Sequence, residues 1–174
     1  MEFIVQGPDW TRLTAYTTQI MDAMTSAGIT MLRDSHVGIG NLTIGGVDWT
    51  GLRRGNPNSY DSPLSRAALT RTFAGAPEGL PRILLAHHPH VFIDSPDFGV
   101  ALTLAGHTHG GGQVVIAERH GQPIAVGTPF YRYISGLYTK GASTLYVNRG
   151  IGYVGLPIRL NCPPEISRFK LVRA

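Results

Sequence analysis

One cysteine stands in the whole sequence, Cys162 within Asn161-Cys162-Pro163-Pro164. That excludes an intrachain disulfide framework and a cysteine-built zinc cluster. With no activating base beside it in sequence, Cys162 reads as structural. Charge is sparse too, at 15% of residues against 43% hydrophobic, which is a globular and not a disordered composition. The basic residues are scattered, with only Arg53 and Arg54 adjacent. There is no polybasic arm, and specific nucleic-acid binding is not expected. No stretch approaches the roughly 20 apolar residues that a transmembrane helix needs. Met1-Glu2-Phe3-Ile4-Val5 has no basic region leading into a long apolar core, so no signal peptide is expected. The chain is therefore expected in the cytoplasm or peripheral to a membrane.

The 174 residues fit one domain spanning 1–174. A net charge of +4 and a pI near 9.5 favour contact with phosphate-bearing substrates or an anionic membrane surface. An ordinary solvated surface is the better account of the charge. The 22 glycines and 12 prolines imply many tight turns, which suits a site built from loops at strand ends.

Residues 3–5 form a short β-like run closed by Gly7-Pro8. Helical spacing runs over 13–27, with Ile20, Met24 and Ala27 on one face and Gly28 as the stop. Residues 29–32 make another short strand candidate, and 37–47 a strand or hairpin interrupted by glycines. A polar loop follows over 53–61. Ser62 as N-cap and Pro63 at the first helical position open a helix through Phe73. Two short apolar runs, 83–86 and 100–105, suit buried strands, and each leads directly into histidines. Residues 113–117 read as a strand, 121–135 as a loop carrying Phe130, Tyr131 and Tyr133, and 143–147 and 166–172 as closing strands. The fold class is α/β.

The chemistry concentrates in Gly106-His107-Thr108-His109-Gly110-Gly111-Gly112-Gln113. In extended backbone His107 and His109 share one face. A turn beginning at Gly106 re-aims them toward adjacent metals, and the glycines let backbone and ligand approach closely. Neutral imidazole suits Zn, Mn, Fe or Ni. Taken alone, such a pair is equally two surface-loop histidines. The second feature is Leu84-Leu85-Ala86-His87-His88-Pro89-His90. If the two apolar strands are parallel neighbours, their C-terminal ends share an edge and His87, His107 and His109 converge there. His88 is the candidate for contact with a substrate phosphate, although His88 and His90 also read as solvent-facing polar residues.

A strand ending in L-L-x-H-x-P, then one ending in G-H-T-H-G-G-G-Q, resembles the C-terminal signature of calcineurin-like metallophosphoesterases. The tail from Leu145-Tyr146-Val147-Asn148-Arg149-Gly150 to Pro163-Pro164-Glu165-Ile166 looks like the membrane-associated bacterial branch. That branch includes enzymes similar to UDP-diacylglucosamine pyrophosphatases. The resemblance implies hydrolysis of a phosphomonoester, phosphodiester or pyrophosphate by water that two divalent ions (Mn, Zn, Fe or Mg) activate. By the family pattern His87 and His107 bind one ion and His109 the other, and the substrate is lipid- or nucleotide-linked. Asn148 and Arg149 stabilise the fold or approach substrate.

The family pattern also uses an N-terminal D-x-H, a G-D-x-x-D and a G-N-H. G-D-x-x-D is absent, and the last motif falls on Gln6-Gly7-Pro8, where Gly7 and Pro8 offer no ligating side chain. Asp34-Ser35-His36 is a D-x-H, but it stands where the family has no ligand and reads as a chance match. Three histidines suffice for one zinc-like ion with an open position, yet supply no bridging carboxylate. The expectation is a partial α/β sandwich lacking the N-terminal strands, with an uncovered sheet edge open to self-association. Such a chain is either an incomplete phosphoesterase domain or a catalytically inactive remnant that needs a partner chain.

Overall fold

The structure, a computed structural model, describes residues 9–48 and 62–172. The expected strand at 3–5, the Gln6-Gly7-Pro8 segment, the polar loop at 53–61 and the side-chain cap from Ser62 lie outside the described residues. A first helix, α1 (Trp10–Ser26), begins at Asp9, whose carboxylate accepts from the backbone N–H groups of Thr11 and Arg12. It starts three residues before the apolar spacing does, because Asp9 satisfies donors that the first turn leaves open. Gly28, in the left-handed region, ends it. Of the expected buried face, Ile20 and Met24 are half-buried while Ala27 is exposed. Among the described residues no helix is long and apolar enough to cross a membrane.

Six strands form the main sheet in the order β1-β2-β3-β4-β8-β7. They are β1 (Ser35–Ile39), β2 (Leu42–Gly46), β3 (Arg82–Leu85), β4 (Val100–Ala105), β7 (Gly136–Lys140) and β8 (Ser143–Val147). The inner four, β2, β3, β4 and β8, run parallel, and β1 and β7 flank them antiparallel. β1 and β2 form the hairpin that the glycine-broken run 37–47 allows. Gly40 takes a φ of 57° at the first turn position, where a two-residue hairpin loop favours glycine. Helix α2 (Ser62–Thr72) packs on this sheet through Leu69, which clusters with Phe73 just past the helix and with Leu84, Val91 and Val100. A second core cluster joins Phe92, Ala105, Tyr133, Leu145 and Val147.

Three expectations fail here. Residues 29–32 form no strand and run as an extended connector. Residues 166–172 form no strand either, because β7 already occupies the free edge of β8. The tail instead crosses the sheet face, where Phe169 meets Tyr146 edge-on at 5.2 Å. The span read as a loop at 121–135 contains β6 (Gln122–Ala125), which pairs with β5 (Val115–Arg119) in a separate two-stranded sheet. The turn residues His120 and Gly121, both at positive φ, close that hairpin.

Gly46 sits at the end of β2, where a β-carbon would overlap the Leu32 side chain and come within 2.9 Å of the Leu32 carbonyl oxygen. The connector therefore lies flat on the strand only because the position is glycine. Gly46→Ala is expected to destabilise the chain by about 1–3 kcal/mol, through overpacking against backbone that has little room to yield. Urea unfolding beside the parent chain measures it, and an unchanged midpoint would refute the close approach.

Candidate metal centre

The parallel run of β2, β3, β4 and β8 brings four C-terminal strand ends to one edge of the sheet. The ladder continues past the strands: Ala86 N–H donates to Leu104, Gly106 N–H to His87 and Asn148 N–H to Ala105. His87 follows β3 and His107 follows β4, so the hydrogen-bonded neighbours deliver both imidazoles to the same place. His87 Nε2 and His107 Nδ1 lie 2.7 Å apart. The His88 ring lies 3.8 Å from that of His107, centroid to centroid. One ring nitrogen from each of His87, His88 and His107 falls within 4.8 Å of the others.

His109 stands apart from this trio, although its charge is felt at both His87 and His107. Its Nδ1 is buried without a hydrogen bond among the described residues. The H-x-H spacing alone favours His107 and His109 as a pair, but the backbone turns between them. His107 has φ 70° and His109 φ 49°, both left-handed, and Gly110, Gly111 and Gln113 follow in the same region. Non-glycine residues held there are uncommon, and such strain collects at functional sites. The turn is held at Thr108, whose hydroxyl donates to the Ile134 carbonyl and whose carbonyl accepts from Gly111 and Gly112.

One of the sequence readings changes at this edge. His88 and His90 are not solvent-facing: they are 3% and 5% exposed. Pro89 opens a short 3₁₀ helix, Pro89–Ile93, which turns the chain inward and carries Pro89, His90, Val91 and Phe92 into the interior. The motif Asp34-Ser35-His36 is structural, as its chance reading implied. The Asp34 carboxylate pairs with Arg71 at 2.7 Å and accepts from Asp48 N–H. The His36 Nδ1–H donates to the Thr72 carbonyl.

Asn148 and Arg149 also serve the fold. Asn148 accepts from Gly150 N–H and donates to Ser167, while Arg149 pairs with Glu165 at 2.8 Å. Burial raises the Glu165 carboxyl, but hydrogen bonds from Ser167, Tyr146 and Arg149 outweigh it and bring it down to about 2. Cys162 is structural as read, 1% exposed, with its thiol at the His109 carbonyl and against Gly110.

Sequence reasoning assigned no role to Gln113. Its amide both donates to and accepts from the Val154 backbone, at 2.8 and 3.0 Å, and ties the 150–160 segment to the glycine run. Its place at the end of the motif was the available signal.

Burial is the main reason that these imidazoles stay neutral. It lowers His87 to about 4, aided by the charge on His109. It lowers His107 to about 4, with His87, His109 and His90 adding to the effect. His88 falls to about 3 through burial and then the charges of His107, His87 and His90. Burial also lowers His90, with Arg132 adding to it. In His109 burial and Arg159 lower the ring, and the Gly152 backbone opposes them.

Neutral imidazole is the form that binds metal. Two nitrogens on one tetrahedral zinc-like ion sit roughly 3.3 Å apart, from the usual bond length. One nitrogen from each ring lies within 4.8 Å of the others, with His87 and His107 as close as 2.7 Å, so small ring rotations reach that value. The donor set fits a divalent ion held by three imidazoles.

Curated relatives point to the same chemistry. The metallophosphoesterase YkuE of Bacillus subtilis is 36% identical over 155 residues, covering 85% of this chain and 48% of that protein. The phosphodiesterase YaeI of Escherichia coli is 41% identical over 101 residues, 53% of this chain and 33% of that protein. A Helicobacter pylori metallophosphoesterase is 30% identical over 157 residues, 88% of this chain and 38% of its own length. The chain thus spans less than half the length of each of these relatives. No family model matches the chain, and no solved structure is significantly similar to it. The relatives support the metallophosphoesterase family and its use of divalent metal, and the mixed α/β sheet is consistent with the partial fold of that family.

The depressed histidines set a stability profile in the metal-free chain. Their folded values lie below the ordinary 6.5, so the unfolded state binds more protons as pH falls below that value. Stability is expected to be full above about pH 6.5, to decline as pH falls, and to level off once pH passes the folded values near 4 and 3. Thermal melts between pH 7.5 and 3.5 measure this. His88→Gln, which cannot titrate, should flatten the profile, and an equally steep profile in that variant would refute the assignment.

Proposed function

We propose that this chain supplies the histidine half of a metal-dependent phosphoesterase centre. The observation that carries the reading is the convergence of His87, His88 and His107 at the C-terminal edge of parallel strands. In this reading the three imidazoles hold one divalent ion. His88, expected at the substrate, is instead a third ligand. His109, with its buried Nδ1, faces a second ion. Zn, Mn, Fe and Mg are the ions to compare, and three nitrogen donors favour the first three over Mg, which prefers oxygen.

A divalent ion supplies Lewis acidity toward a phosphoryl oxygen and lowers the pKa of water. The chain's own residues do the rest. Buried, neutral rings present their nitrogens without first shedding protons. The glycine turn holds His107 and His109 at fixed angles, and the Gln113 amide fixes the neighbouring 150–160 segment. Among the described residues no carboxylate joins the trio. The bridging carboxylate of a two-ion centre is therefore assigned to another part of the protein or to a partner chain. Within the family, the 145–166 tail favours the membrane-associated bacterial branch and a lipid- or nucleotide-linked phosphoester.

Metal uptake by the purified chain tests this reading, with hydrolysis of bis(p-nitrophenyl) phosphate followed in parallel. His107→Ala is expected to weaken Mn or Zn binding by at least about 100-fold, since even partners of metal ligands cost 10–100-fold when lost. Any hydrolysis should fall with it. Unchanged metal content in His107→Ala would sink the proposal.

A further inference from the structure

We propose that Tyr131 and Arg132 form a clamp for phosphoryl oxygens at the rim of the histidine cluster, a role that rests on the phosphoesterase reading above. The segment that carries them is bolted to the ligand loop at both ends. At one end Gly127 N–H donates to the Gly111 carbonyl at 2.8 Å, and Tyr131 N–H donates back to Gly127 at 3.0 Å. At the other end the Ile134 carbonyl accepts from the Thr108 hydroxyl, and Ile134 N–H donates to the Tyr138 hydroxyl at 2.9 Å. Thr108 lies between the two motif histidines, so the segment and the ligands share one frame.

Between these bolts the side chains divide by role. Tyr133 is buried, edge-on to Phe92 at 5.7 Å and to Tyr138 at 5.0 Å, and it anchors the segment. Tyr131 is half-buried, and its ring stands edge-on to His107 at 5.7 Å and lies 6.4 Å from His90. Arg132 is exposed, with its guanidinium 5.6 Å from the Tyr133 ring centre. Among the described residues it forms no ion pair with a carboxylate. Its charge nevertheless reaches His90, where it opposes protonation. A phenol beside His107 and a cation thus occupy successive positions of one strap, and the rings on either side of Arg132, Tyr131 and Tyr133, lie 6.4 and 6.3 Å from the His90 ring.

That pair matches what a metal leaves undone. A phosphoester presents more oxygens than one ion can face, and each carries charge. A guanidinium offers a planar fork for two oxygens, and a phenol offers one further donor. Because hydrogen bonds tie the strap's backbone at both ends, little backbone freedom is lost on binding.

The test is titration of inorganic phosphate into the Mn-loaded chain by calorimetry, with metal content measured in every sample. Arg132→Gln is expected to weaken phosphate binding by at least about tenfold, as for loss of a hydrogen bond to a charged group, with metal content unchanged. Arg132→Lys should recover part of the loss, and Tyr131→Phe should lose severalfold while keeping the ring against His107. Phosphate affinity equal to the parent in both Arg132→Gln and Tyr131→Phe overturns the clamp and leaves the metal assignment standing. A fall in metal content in Arg132→Gln marks a structural role and overturns the clamp as well. A parent chain that takes up no metal overturns both proposals at once.

Discussion

Gly111 and Gly127 meet backbone to backbone, and the histidine cluster depends on that contact. A β-carbon on Gly127 would come within 2.9 Å of the Gly111 carbonyl carbon and oxygen, and one on Gly111 would overlap Ala125 and Ile134. Only glycine at both places allows the ligand loop to lie against the 127–134 strap. From this approach follow the left-handed residues on either side of Thr108, the separation of His109 from His107, and the seating of Tyr131 against His107. The strain in the two histidine backbones is held by neighbours that have nowhere else to go: Thr108 on Ile134, Cys162 under Gly110 and Gln113 on Val154.

A cluster of buried bases without a carboxylate is poor for stability. Each imidazole that could take a proton in water is kept from doing so by desolvation, and its neighbours reinforce the effect. In the fold alone this is a local conflict, of the kind that natural sequences tolerate at functional sites. For a metal site the same arrangement is an advantage, because the donors are already in the form that binds. The surrounding ion pairs, Asp34 with Arg71 and Glu165 with Arg149, do not enter the cluster. They tie the strand-end loops down around it.

Much of the frame was legible from local pattern. The apolar runs before His87 and His107 became strands, as their length and turn-bounded ends implied, and the sheet set them side by side and parallel. The glycine-broken run 37–47, open to a strand or a hairpin, is a hairpin, and Gly28 marked the end of α1. What misled the reading was competition between segments for the same partner. Residues 166–172 have strand-like composition, but β7 had already taken the edge of β8. The start of α1 was misplaced because a capping aspartate, not an apolar residue, begins it. His88 and His90 looked polar and solvated because sequence gives no sign that Pro89 turns the chain inward.

The sequence by itself singled out the strand-end histidines as the candidates for chemistry. Histidines placed directly after buried strands, with a glycine run beside them, are a local pattern, and local pattern survives folding. It also determined that the glycine run was conformational in purpose, since no other residue accepts those dihedrals without strain. Only the tertiary structure decided which imidazoles meet. The sheet order sets β3 beside β4, the left-handed turn swings His109 away, and the 3₁₀ helix after His88 buries that ring against His107. Such distances are sums over many backbone angles and packing contacts far apart in the chain, and no spacing of letters records them.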